Sequence, residues 1–250
     1  MIKEIDKLEK EKSILLHSCC APCSSYVLEY FKNYFGMNLV TVFFYNPNIT
    51  KRQEYEKRRD EQKRLCERLL GAPATNLPPA LRPNGLSAES ATSLEGGLWL
   101  LQEKCCRNTE QPLGFIEGDY DPARFKEIAK GFESYPEGGE RCFRCYELRL
   151  RETARIAGEL GYDYFATTLT LSPLKNADKI NEIGSRASLE SKTLSTNKSG
   201  KALYLPSDFK KKGGYQRSIE LSKQYSLYRQ NFCGCAYSQN KLLFTASRKQ

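Results

Sequence analysis

Seven cysteines stand in three short groups: Cys19, Cys20 and Cys23 in HSCCAPCS, Cys142 and Cys145 in RCFRC, and Cys233 and Cys235 on either side of Gly234 in FCGC. Thiolate is the form of cysteine that binds metal, and helix N-termini favour it because their backbone N–H groups point at the sulfur. Each group falls at a boundary between predicted elements, where a side chain can face an open site. Four thiolates in a tetrahedron would hold a structural zinc, and CxxC pairs are common there. Seven thiols in three groups exceed one zinc. The surplus points to an iron–sulfur cofactor beside a second metal or catalytic thiols. The chain has one histidine, His17, which nearly excludes zinc catalysis built on imidazole. His17 reads as a packed residue of the first strand, with proton donation as the alternative. Cys66, beside Leu65 on an amphipathic helix, reads as core filling. Cys105 and Cys106 fall in an irregular stretch and are left outside the site.

Two further segments could meet a substrate. TTLTLSPLKN, Thr167 to Asn176, offers hydroxyls that could bind substrate or phosphate, although threonine is also a good strand former. Lys175, beyond Pro173, projects from the same carboxyl edge. DFKKKGGYQR, Asp208 to Arg217, gathers Lys210, Lys211, Lys212, Tyr215 and Arg217 around a Gly pair. That composition suits phosphate contact on a flexible backbone; a solvated loop would look the same. Tyr225, Tyr228 and Arg229 follow, placed to stack on a base or to pack. One absence is informative. A nucleotide-hydrolysing enzyme of this kind needs a Gly-rich loop after its first strand, because phosphates require bare backbone N–H groups. HSCCAPCS puts thiols there instead.

The elements that must position these residues alternate. Ser13–Ser18 and Asn38–Tyr45 are apolar runs suited to buried strands, each followed by a helical pattern, Ser24–Phe35 and Lys51–Leu70. Pro22 fits a first helical turn, and Asn46-Pro47-Asn48 is a turn. Gly114–Tyr120 is a strand, Pro122–Phe132 and Phe143–Leu160 are helices, and Tyr162–Leu171 is a Thr-rich strand. A helix within Pro173–Arg186, a short strand Ala202–Leu205 and a helix Ser218–Gln230 complete the order. Such alternation predicts one α/β domain over 1–250, a Rossmann-like parallel sheet flanked by helices, with ligands at the carboxyl ends of strands. Residues 72–112, with five prolines and little periodicity, read as an insertion or long loop.

The 250 residues are 40% hydrophobic and 28% charged, ordinary for a soluble globular protein. No apolar run approaches the ~20 residues of a membrane span. Met1 to Lys12 reads as a charged, fraying helix and not a secretory signal, so a cytoplasmic protein with no membrane partner is expected. In that reducing setting ten cysteines point to metal or redox chemistry, not disulfides. Net charge is +9, and between Pro206 and Gln250 nine Lys and Arg meet two acids. A nucleic-acid partner is the first expectation from that balance.

Assembled, these stretches resemble a known family. LLHSCCAPCS, FYNPNI with EYEKRRDE, IEGDYDP, RCFRCYELRLRETA, TTLTLSPLKN, LPSDFKKKGGYQRS and LYRQNFCGCAYS resemble, in order, the cobalamin-independent epoxyqueuosine reductases, the QueH family. The resemblance spans nearly the whole chain outside 72–112, which departs from the family pattern. It implies an ATP-pyrophosphatase-like α/β fold and a [4Fe–4S] cluster with a neighbouring iron. The implied reaction reduces the epoxide of epoxyqueuosine to the alkene of queuosine at the tRNA wobble position, with electrons from an external donor. The position of Cys23 is aspartate in some members.

A cubane takes four ligands at most, so seven thiols divide. Cys142 and Cys145, at i and i+3, point the same way and would bind one cluster, joined by one of Cys19 and Cys20, with Cys23 as fourth ligand. The other of Cys19 and Cys20 would join Cys233 and Cys235 on the separate iron. Asp208 or Tyr215 would supply a proton, Lys175 would stand in the site, and Lys210, Lys211, Lys212, Arg217 and Arg229 would meet tRNA. A cluster-dependent tRNA thiolase is an alternative, disfavoured by the absent phosphate loop. A zinc-stabilised RNA-binding module without catalysis is another.

Overall fold

β1 (Ile14–His17) is buried along its whole length. A strand covered on both faces reads as a continuous apolar run, and the side chains of this one divide by alternation. Ile14 and Leu16 join one core with Val27, Phe31, Val42 and Phe44. Leu15 joins a second core on the opposite face with Phe43, Ile156 and Phe165. A computed structural model describes residues 12–35, 40–70, 74–76, 114–194 and 202–238 of the chain. The predicted N-terminal helix, Cys105 and Cys106 with most of 72–112, and the basic residues beyond Ser238 lie outside the described residues.

β1 pairs in parallel with β2 (Val40–Phe44) on one side and with β5 (Tyr164–Thr167) on the other. β3 (Ala74–Asn76), β4 (Phe115–Glu117) and β6 (Leu203–Tyr204) complete a parallel six-stranded sheet of order β3-β4-β2-β1-β5-β6 among the described residues. The helices are α1 (Ala21–Phe35), α2 (Arg52–Leu70), α3 (Pro122–Ala129), α4 (Glu140–Glu159), α5 (Ala177–Leu194) and α6 (Gly214–Gln224). This is the expected α/β architecture. The turns after β1 and β5 leave neighbouring strands, and the crevice outside their carboxyl ends is where such sheets bind ligands. No described helix is long and apolar enough to cross a membrane.

Three elements differ from their sequence reading. Ala74–Asn76, inside the stretch read as loop, is the edge strand against β4; three residues are too few to show a period. The Thr-rich strand stops at Thr167, whose hydroxyl accepts the Leu169 N–H at 3.2 Å and turns the chain into a short 3-10 helix, Thr168–Leu171. Side-chain capping thus overrides the strand propensity of the following residues.

The last helix begins at Gly214, ahead of the expected Ser218. Gly213 supplies the left-handed cap at φ 75°, and the first turn presses on the preceding loop. A Cβ on Gly214 would lie 1.9 Å from the Phe209 carbonyl oxygen and 2.5 Å from the Tyr26 ring. Gly214→Ala must therefore push α6 away from α1. The expected loss is about 1–3 kcal/mol, the scale of overpacking, read as a lowered unfolding midpoint in urea with an unchanged m-value.

Candidate metal and substrate site

The thiol-bearing turn after β1 is fixed from both neighbouring strands. His17 is wholly buried, with Nδ1 2.9 Å from Thr167 Oγ1 and Nε2 3.1 Å from the Tyr45 carbonyl. A carbonyl can only accept, so Nε2 carries the proton and the Thr167 hydroxyl donates to Nδ1. Burial, and then the nearby Arg149 cation, push His17 down to about 3. His17 is thus a neutral pin across three strand ends, which is the packed role expected of it. Next to it, the Ser18 N–H donates to the Phe43 carbonyl and the Ser18 carbonyl accepts from Asn46 Nδ2 at 2.8 Å.

On that turn the sulfur atoms of Cys19, Cys20 and Cys23 lie within 4.8 Å of one another. The Thr168 hydroxyl donates to Cys19 Sγ at 3.5 Å. The Cys20 and Cys23 thiols, and the charge of Lys175, hold Cys19 well below the usual thiol range. Their role as donors to Cys19 pushes Cys20 up to about 12 and raises Cys23. A metal binds the thiolate form, so loading these three ligands would release protons.

The second pair opens α4. Cys142 Sγ accepts the Gly138 N–H at 3.3 Å, and burial raises Cys142 and pushes Cys145 up to about 12. The third pair comes to meet it: Cys145 and Cys235 are buried together against Phe125 and Ala129, with Cys233 packed on the same group. Cys235, Lys175, Arg149 and Arg58 all favour the Cys233 thiolate, which lies well below the usual range, and Cys235 is raised by donating to it. The charge of Cys233 in turn raises Cys142 and Cys145.

Two buried arginines and an Asn-Pro-Asn turn hold these pieces in place. Gly234, at φ 101°, lets the short loop fold back. Its carbonyl accepts the Thr50 N–H at 3.2 Å. Arg58, 3% exposed and paired with Glu54, donates to the Cys233 carbonyl at 3.0 Å and the Phe232 carbonyl at 3.3 Å. Arg149 reaches from α4 to the turn after β2, donating through Nη1 to Asn46 Oδ1 at 2.9 Å and Asn48 Oδ1 at 3.2 Å. Asn48 Nδ2 faces Cys233 Sγ at 3.7 Å. The turn after β2 therefore touches the first thiol group through Asn46 and the third through Asn48.

A cavity of about 280 Å³ opens at this edge, lined by Cys19, Cys20, Cys23 and Cys233 among others. Arg149, Lys175, Tyr215 and Arg229 also line it. The Arg229 guanidinium stands 5.8 Å from the centroid of the Tyr215 ring. Asp208 does not line it; its carboxylate contacts Lys210 at 3.5 Å and Lys211 at 3.6 Å. Lys210 also donates to the Lys175 carbonyl, and Arg217 pairs with Glu29 and Glu220. Lys211 and Lys212 are exposed. Tyr225 and Tyr228 pack beneath Arg68 and Lys57 of α2. Cys66 is buried and accepts from Gln62, as core filling predicts.

Sequence reasoning missed Asn46, Asn48, Arg58 and Arg149. Arg149 carried a usable signal: it follows Cys145 by one helical turn and so shares its face. Arg58 gave none, being one cation among many on a charged helix. The donor set is sulfur alone and its buried neighbours are cationic. Such a set suits iron–sulfur chemistry, whose ligands are thiolates and whose net charge is negative.

Comparison with known proteins adds a family. The sequence profile of a family described as "Epoxyqueuosine reductase QueH" matches residues 14–78 and 101–241, leaving 79–100 unmatched within the irregular stretch. A Streptococcus pyogenes protein of that name is 36% identical over 238 residues, 95% of this chain and 74% of its own. One from Staphylococcus epidermidis is 35% identical over 243 residues, 96% and 82%. One from Staphylococcus aureus is 36% identical over 241 residues, 94% and 80%.

Proposed function

The chain belongs to the epoxyqueuosine reductase QueH family, and from that premise we propose that it reduces epoxyqueuosine to queuosine at the wobble position of tRNA, in the cytoplasm. Two carbon–oxygen bonds of the epoxide break and a carbon–carbon double bond forms. The oxygen leaves as water, so the reaction consumes two protons and two electrons from an external donor.

The thiol-lined cavity carries this reading. Its volume, about 280 Å³, lies at the low end for small-molecule sites. That space suits one extruded base and leaves the rest of the tRNA on the surface. Cys142 and Cys145, with one of Cys19 and Cys20 and with Cys23, would hold a [4Fe–4S] cluster. Cys233 and Cys235, with the other of that pair, would hold a separate iron. When bound, these groups supply electrons one at a time and Lewis acidity toward oxygen. Lys175, on the cavity wall with its charge toward Cys19 and Cys233, orients the epoxide oxygen. Tyr215 supplies a proton. Asp208, held by two lysines, serves better to order the Lys-rich loop than as an acid. Tyr215 and Arg229 offer a flat face for a base, where stacking is sequence-tolerant. The test is anaerobic reaction of iron- and sulfide-reconstituted protein with epoxyqueuosine-containing tRNA. Mass analysis of released nucleosides should show loss of one oxygen; unchanged epoxyqueuosine with reduced protein would refute the reading.

Binding of tRNA should depend on salt. Among the Lys-rich residues, Lys211 and Lys212 are exposed while Lys210 is committed to Lys175. Lys211→Ala with Lys212→Ala is expected to weaken binding and to flatten the slope of log affinity against log salt by roughly 0.7–0.9 per lost phosphate contact. Titrations at several salt concentrations read this slope, and an unchanged value would remove the loop from the interface.

A further inference from the structure

Arg149 is 1% exposed, and only one of its nitrogens is used. Guanidinium carries five N–H donors. Nη1 serves Asn46 and Asn48, while Nε and Nη2 are buried with no hydrogen-bond partner among the described residues. The asparagines cannot turn to help. Asn46 Nδ2 is held by the Ser18 carbonyl and Asn48 Nδ2 faces Cys233 Sγ, so each presents its oxygen to Nη1 and nothing to the rest of the fork. A buried charged donor left without an acceptor is costly, so its partner has to be accounted for.

The surroundings restrict what that acceptor can be. Arg149 stands on the same face of α4 as Cys145, lines the thiol cavity, and is electrostatically coupled to Cys145, Cys233 and Cys19. No carboxylate is hydrogen-bonded or ion-paired to it among the described residues. We propose that Nε and Nη2 of Arg149 donate hydrogen bonds to sulfur acceptors of the bound iron–sulfur centre, making Arg149 a positioning residue that sets its reduction potential. The inference rests on the cluster-binding reading above. Hydrogen bonds to cluster sulfur, and a fixed cation beside it, stabilise the reduced form, which carries the extra negative charge. Lysine keeps the charge but lacks the planar fork.

The test is a redox titration of reconstituted wild type, Arg149→Lys and Arg149→Met, followed by electron paramagnetic resonance. The potential should fall in Arg149→Met and fall less in Arg149→Lys, with iron and sulfide content checked in each. Equal potentials in loaded wild type and loaded Arg149→Met would overturn the proposal. If neither variant takes up iron and sulfide, wild type labelled with ¹⁵N in arginine alone decides: the reduced centre's spin should couple to an arginine nitrogen, and absence of coupling overturns the proposal. Wild type that binds no iron and sulfide at all would refute the cluster-binding reading itself, and the proposal with it.

Discussion

Cys145→Ala is expected to purify colourless under anaerobic conditions, without cluster absorbance and without measurable conversion of epoxyqueuosine in tRNA. Cys233→Ala is expected to stay coloured, to bind about one iron fewer per chain, and to be equally inactive. The physical difference lies in position. Cys145 is buried on a rigid helix beside Cys142 and Cys235, so removing its sulfur takes one corner from a four-ligand site. Cys233 stands on a short loop against Asn48 and Arg58, and the proposed division gives it to a separate ion. Iron and sulfide analysis beside the visible spectrum reads both variants. A Cys233→Ala protein that loses all its colour while Cys145→Ala keeps it would overturn the division. Both substitutions remove a small side chain, buried at Cys145 and half-buried at Cys233, so folded secondary structure is expected in each.

Arg58→Ala should be the most destabilising single change outside the sulfur atoms. It deletes the partner of Glu54, whose side chain is only 13% exposed, and it strips the Phe232 and Cys233 carbonyls of their donors. Breaking a buried pair from one side costs about 3–5 kcal/mol, because the remaining charge is stranded. In a chain of this length that corresponds to a fall in unfolding temperature on the order of 10 °C. Arg58→Lys with Glu54 intact should recover part of it, since the charge returns but the two-pronged contact does not. Calorimetry reads the stability, and metal analysis should show the Cys233–Cys235 iron lost before the rest. A variant as stable as wild type would show that the loop does not depend on this clamp.

The architecture was readable because it rests on composition. Buried parallel strands are apolar runs, and the four-residue ILLH and the FYNPN junction announce strand and stop without help from the tertiary fold. What failed to show were features decided by side-chain contacts. Thr167 ends its strand by capping the next turn, and Ala74–Asn76 is a strand only because β4 lies beside it. The thiols were legible as residues, since few other arrangements explain three groups at three boundaries. The meeting of the second and third groups was not, because Cys145 reaches Cys235 only through packing across more than a third of the chain. The supporting arginines were the least visible. A cation on a charged helix looks the same whether it faces water or, like Arg58, two loop carbonyls.

The central place of β1 governs when the protein can form. Its left neighbour, β2, follows within a few turns of chain, but its right neighbour, β5, lies 150 residues onward, as the His17–Thr167 contact measures. During synthesis at ~5–20 residues per second, the unpaired edge of β1 must wait on the order of ten seconds for β5 to leave the ribosome. Through that interval an apolar strand edge and three clustered thiols are open to other chains and to oxidants. Non-local parallel pairing of this sort is slow and exposed to aggregation. Production under low oxygen and with few chains synthesised at once should therefore raise the soluble yield of this protein more than that of a helical bundle of equal length.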